Sequence, residues 1–211
     1  MKIMNKKILI LAPHTDDGEL GCGGSIAKYC ENGDSVYYVA FSNCNRSLPP
    51  NMPINTLVHE LYRATEVLGI PNENVTILDY DVRTFNEFRQ SILEELIKLK
   101  NTLAPDIVYL PSPNDLHQDH QIISNEGIRA FKGKTIFGYE MPWNNISFNT
   151  IGFNKLDEKF LKIKLQALKE YKSQNHREYL NDDFITSLAR VRGVQIGAQF
   201  AEAFEVIRLI L

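Results

Sequence analysis

The 211 residues suffice for one sizeable hydrophobic core and do not require two, so a single domain over 1–211 is expected. A formal charge of -3, with 44% hydrophobic and 23% charged residues, gives no basis for nucleic acid or an anionic membrane as the main partner. No run approaches the roughly 18 to 20 apolar residues of a membrane span, and the first thirty residues lack the pattern of a secretory signal. A cytoplasmic protein is therefore expected, and self-association into a homo-oligomer stays open. Cys22, Cys30 and Cys44 are odd in number and contain no CxxC pair, which argues against a disulfide framework or a cysteine zinc site.

Ile8 to Ala12 is a short, β-branched apolar run that reads as a buried parallel strand. It leads through Pro13-His14-Thr15-Asp16-Asp17-Gly18-Glu19 into a helical pattern from about Leu20 to Asn32. Gly33-Asp34 turns the chain into a second strand, Ser35 to Phe41, which completes a βαβ unit. Asn43 to Pro53 is a loop at that strand's carboxyl end. Ile54 to Leu68 has helical spacing in Leu57, Leu61, Ala64 and Leu68, ended by Gly69. Val75 to Leu78 is a third strand, and Phe85 to Leu103 a long amphipathic helix with Phe88, Ile92, Leu96 and Leu99 on one face and Glu95 placed to pair with Lys98.

Ile107 to Leu110 is the fourth strand, followed by a loop through His117-Gln118-Asp119-His120 and a helix from about Asp119 to Phe131. Thr135 to Tyr139 is the fifth strand, and Met141 to Asn154 has room for another short one. Helices are expected over Leu156 to Lys172 and Asp182 to Arg192, and Ala203 to Leu211 closes the chain as an apolar segment that suits an edge strand. Strand and helix alternate to about residue 140, which predicts an α/β fold: a Rossmann-like, doubly wound, mostly parallel sheet with a small C-terminal α/β portion packed on it.

In such a sheet of order 3-2-1-4-5, the first and fourth strands are neighbours whose loops diverge over opposite faces, and ligands bind in the crevice between. This chain places His14, Asp16 and Asp17 on one of those loops and His117, Asp119 and His120 on the other, using three of its five histidines. A His, two Asp and a Glu crowded into one turn repel and desolvate each other unless a cation gathers them. A catalytic zinc site asks for three such ligands and an open position, with a base, a donor and a histidine-orienting carboxylate beside it. Imidazole and carboxylate without thiolate suit Zn2+, and Fe2+ or another divalent ion fits the same set.

The first motif, PHTDDGELGCGG, resembles the AHPDD-x-E-x-G-x-GG signature of the PIG-L/LmbE family of zinc-dependent N-acetylglucosaminyl deacetylases. His117-Gln118-Asp119-His120 is similar to that family's H-x-D-H motif, while Ser173-Gln174 and Ala201-Glu202-Ala203-Phe204 are similar to its late elements. The resemblance implies His14, Asp17 and His120 as metal ligands, Asp16 as general base, His117 as the group that stabilises developing charge and helps protonate the leaving amine, and Asp119 as the carboxylate orienting an imidazole. It further implies removal of acetyl from an N-acetylated amino sugar or its conjugate, with release of acetate. Thr15 and Gly18 replace a proline and an acidic residue of the commoner signature. Leu57, Val58 and His59 precede Glu60 where the family often carries a substrate-holding arginine.

Other readings are open at this point: a zinc amidohydrolase for a non-sugar amide of a small metabolite, and a non-catalytic sugar-binding module with a structural metal. Gly21, Gly23 and Gly24 do not make a dinucleotide loop, because Asp16, Asp17 and Glu19 would repel phosphate; they read as close packing of helix on sheet, and no cofactor-binding residues are assigned. His59 reads as a satisfied core or rim histidine, and His176 as an exposed one. Trp143, the only tryptophan, follows the fifth strand at the same sheet edge, where stacking on a sugar face and core packing are both open.

Overall fold

A computed structural model describes residues 5–210, and its seven strands run in the order β3-β2-β1-β4-β5-β7-β6. β1 (Lys7–Ala12), β2 (Ser35–Ala40), β3 (Val75–Ile77), β4 (Ile107–Pro111) and β5 (Thr135–Tyr139) are mutually parallel, in the expected 3-2-1-4-5 order. β1 shows why its sequence is apolar without alternation. Ile8, Ile10 and Ala12 enter the core on one face, Leu9 and Leu11 that on the other.

The first face is covered by α1 (Asp17–Glu31), α2 (Thr56–Leu68), α5 (Glu158–Leu168) and α6 (Asp182–Gln195), the second by α3 (Arg89–Leu103) and α4 (Gln118–Ala130). Leu57, Leu61, Ala64 and Leu68 of α2 are all buried, and Gly69 ends that helix at φ +90°, a conformation glycine adopts without strain. α3 departs from the expected start, because Phe85–Phe88 forms a 3₁₀ turn that leaves Phe88 41% exposed. Its Glu95 and Lys98 do approach, at 3.7 Å.

The C-terminal portion extends the sheet instead of merely packing on it. β7 (Phe200–Arg208) pairs antiparallel with β5, and β6 (Gly152–Leu156) pairs antiparallel with β7. The closing segment expected as an edge strand is thus an interior one, and β6 takes the edge; Leu211 lies outside the described residues. β7 is shared between its neighbours, Phe200 to Phe204 pairing with β6 and Phe204 to Arg208 with β5, and its buried run starts at Phe200. Among the described residues, no helix is long and apolar enough to cross a membrane.

Candidate active site

β1 and β4 are neighbours, and the loops leaving their carboxyl ends bring His14 to Asp17 against His117 to His120. His14 Nδ1 lies 3.1 Å from Asp17 Oδ2, His120 Nε2 lies 3.2 Å from that same oxygen, and the two nitrogens are 3.3 Å apart. Three donor atoms therefore form a nearly equilateral triangle. Zinc bonds of about 2.0–2.2 Å in a tetrahedron separate the donors by about 3.3–3.6 Å. The triangle is within a few tenths of an ångström of that requirement, so these residues fit a metal ion. One ring nitrogen from each of His14, His117 and His120 also lies within 4.8 Å of the others.

Both ring positions are held from behind by carboxylates. His14 Nε2 lies 3.0 Å from Asp119 Oδ2, and His120 Nδ1 lies 2.7 Å from Asp115 Oδ2. Each imidazole thus turns its other nitrogen toward Asp17, an arrangement that orients a ligating histidine and raises its basicity. Asp119 in turn accepts the Arg83 N–H at 2.6 Å, and Arg83 adopts φ +70° to present it. Such left-handed backbone costs energy in a non-glycine residue and is retained where surrounding contacts demand it. Asp115 also accepts the His117 N–H at 2.8 Å.

The charges respond accordingly. Burial alone would lower the His14 imidazole, but Asp17 and Asp119 raise it to about 9; burial works the same way on His120, which Asp17 and Asp115 raise to about 10. Asp17 is buried yet held well below the usual carboxylate range by His120 and His14. The carboxylates thus stabilise positive charge at the centre of the triangle, and a divalent cation between neutral imidazoles supplies that charge equally well. Asp16, the N-cap residue just before α1, is raised to about 6 by burial and by Asp17, and it lines the cavity.

His117 is placed differently. It caps α4, its Nδ1 accepting the Asp119 N–H at 3.2 Å, so the ring proton of the neutral form belongs on Nε2. Burial and the neighbouring His14 and His120 lower its pKa to about 4, which keeps it neutral. It offers the cavity an N–H donor.

Glu19 does not belong to this cluster, contrary to the expectation from its place in the crowded turn. Its carboxyl points under the turn, 2.5 Å from the Tyr38 hydroxyl and 2.9 Å from that of Tyr171, while burial pushes it up to about 8. Both tyrosines also reach the Thr15 carbonyl, at 3.0 and 2.7 Å, so they buttress the loop that carries His14 and Asp17. Gly18 is required there because an added Cβ would lie 2.4 Å from the Tyr38 ring. Gly21 likewise admits Tyr139 of β5, as close helix-on-sheet packing requires.

The cluster floors a cavity of about 260 Å³. Leu57, one of the three residues before Glu60, lines it; Arg63 pairs with Glu170 at 3.0 Å, and Arg83 and Arg177 are the arginines at the cavity. His176 is exposed, as expected, and His59 is exposed as well, which excludes the core reading for it. Two functional candidates escaped the sequence reading: Asp115, whose signal was its position five residues before a candidate ligand histidine, and Arg83, whose contribution is a backbone N–H and leaves no trace in residue type.

Residues 9–131, carrying both His/Asp loops, match the PIG-L family, GlcNAc-PI de-N-acetylase. The chain belongs to the PIG-L family of deacetylases. It is 30% identical over 175 residues to the uncharacterized deacetylase YaiS of Escherichia coli (strain K12), covering 80% of this chain and 91% of that protein. It is 24% identical over 226 residues to the diacetylchitobiose deacetylase of Thermococcus kodakarensis, covering 96% and 83%. In structure, this PIG-L chain is similar to the conserved protein TT1542 from Thermus thermophilus, with a TM-score of 0.80, 24% identity and coverage of 98% and 96%. The PIG-L match ends at Phe131, before β5, so Trp143, Asn144, Gln174, Arg177 and Tyr179 of the cavity wall lie outside it.

Proposed function

We propose that this PIG-L protein is a zinc-dependent hydrolase that removes the acetyl group from an N-acetylated amino sugar or its conjugate, with His14, Asp17 and His120 holding the ion. The observation that carries the proposal is the triangle of His14 Nδ1, Asp17 Oδ2 and His120 Nε2, with Asp16 and His117 bordering the same cavity. The diacetylchitobiose deacetylase among its relatives supports the sugar class.

A bound zinc ion would polarise the acetyl carbonyl and make water acidic at neutral pH. Asp16 takes a proton from the attacking water as its oxygen bonds to the acetyl carbon. The oxyanion that forms accepts a hydrogen bond from His117 Nε2–H, a cavity-lining donor whose tautomer the Asp119 N–H fixes before charge develops. Asp16 then passes the proton to the sugar nitrogen as the C–N bond breaks, giving a free amine and acetic acid, which ionises to acetate as it gives its remaining proton to solvent or to the amine. His117 assists that departure by holding the collapsing oxyanion. Asp119 and Asp115 orient His14 and His120 throughout.

Acetate release from a panel of N-acetyl amino sugars tests the proposal. Chelation should abolish it and added zinc restore it, since three ligands with an open position exchange metal reversibly enough for this experiment. Full activity in protein shown by elemental analysis to be metal-free would overturn it.

A further inference from the structure

The proposed chemistry leaves one wall of the cavity without a task. Trp143 and Tyr179 line that wall with their rings stacked, centroids 4.3 Å apart and planes 12° from parallel, and Phe184 stands behind with its centroid 6.1 Å from the indole. Tyr179 covers one indole face, yet Trp143 remains 39% exposed. A large aromatic ring supported on one side and open at a cavity is placed for contact.

The support is firm. Met141 O accepts the N–H groups of Asn144 and Asn145 at 2.8 and 2.9 Å, and Asn145 Oδ1 accepts the Met141 N–H at 2.8 Å. Asn144 O accepts the Leu116 N–H at 3.2 Å, which ties the indole's turn to the loop bearing Asp115 and His117. Asn144, Gln174 and Arg177 border the same cavity. A flat apolar face framed by planar amide and guanidinium groups matches a pyranose, whose C–H face is apolar and whose hydroxyls radiate from its edge.

Resting on the deacetylase reading above, we propose that Trp143, backed by Tyr179, is the subsite for a second pyranose ring joined to the acetylated one. The His/Asp floor takes the acetamido group, and the indole takes the ring beyond it. Because that ring does not react, its contact is the same in ground and transition states and acts on KM more than on kcat.

The only tryptophan of the chain is its own reporter. Zinc-loaded Asp16→Asn protein is titrated with N,N'-diacetylchitobiose, with N-acetylglucosamine and with phenyl N-acetyl-β-glucosaminide while tryptophan fluorescence is read. Acetate release is measured in the wild type, Trp143→Ala and Trp143→Phe. The disaccharide should give a saturable fluorescence change at about fivefold to tenfold lower concentration than the monosaccharide. Trp143→Ala should lower the disaccharide-to-monosaccharide ratio of kcat/KM by about the same factor, through KM, and Trp143→Phe should restore most of it. Equal response to both sugars, or a preference for the phenyl glycoside over the disaccharide, would overturn the pyranose subsite. A response to the disaccharide without acetate release from any sugar would overturn the deacetylase reading and leave the subsite standing. Acetate release at equal kcat/KM from both sugars without a fluorescence response would do the reverse.

Discussion

Helix α1 carries a buried charged cluster at each end of its first half, and the two are built to opposite ends. At its start, His14, Asp17 and His120 converge with charge drawn into the centre and one side open to the cavity. Two turns on, where Cys22 breaks the helix at φ -147° and ψ 25°, Glu202 from β7 receives the N–H groups of Gly24 and Ser25 at 3.0 and 2.7 Å, the Ser25 hydroxyl at 2.6 Å and Lys164 Nζ at 2.7 Å. Lys164 also donates to the Leu20 carbonyl at 2.7 Å, so the amides and carbonyl freed by the kink are paired. The closed cluster holds the helix to the sheet. The open one keeps its bonding capacity for a ligand, as functional sites do when their charges are gathered but not fully compensated.

Substitutions should separate the two clusters by what they damage. The largest effect is expected at Asp16, where Asp16→Asn should retain metal and fold but lower kcat by about two to four orders of magnitude, the usual size of a lost general base. If the variant instead loses its metal and regains activity in excess zinc, Asp16 is a ligand. Glu202→Ala should do the converse. Urea unfolding should show it less stable by about 3–5 kcal/mol, the cost of stranding one partner of a buried ion pair, while kcat per folded molecule stays within a few fold of wild type. A comparable loss of turnover in fully folded protein would mean that the two clusters are not independent.

Smaller effects should resolve the open cluster itself. His117→Ala should keep near-stoichiometric metal and lose about 100-fold in kcat with little change in KM, as expected for removing one preorganised oxyanion donor. A large fall in zinc affinity would make His117 a ligand, a result the close approach of the three histidines makes worth measuring. Asp115→Asn should weaken metal binding by about 10-fold to 100-fold, read by competition with a chromophoric chelator, since in the proposed ligand set Asp115 would orient His120 without touching the ion. An unchanged affinity would show that His120 needs no partner to hold its ring.

What the amino-acid order determined by itself was local or periodic. The unbroken apolar run of β1, the helical spacing of α2 and the alternation of strands with helices placed the first five strands, and with them the two His/Asp loops at one sheet edge. Burial on two faces and a helical repeat leave marks within a short window of sequence. Long-range pairing leaves none. Only the tertiary structure set β7 between β5 and β6, turned Glu19 away from the His/Asp cluster onto Tyr38 and Tyr171, and brought Asp115 and the Arg83 amide behind the imidazoles. It likewise stacked Trp143 on Tyr179, two rings far apart along the chain. A carboxylate in a crowded turn has the same residue type whether it faces a cation or a tyrosine hydroxyl, and the packing around it decides which partner it meets.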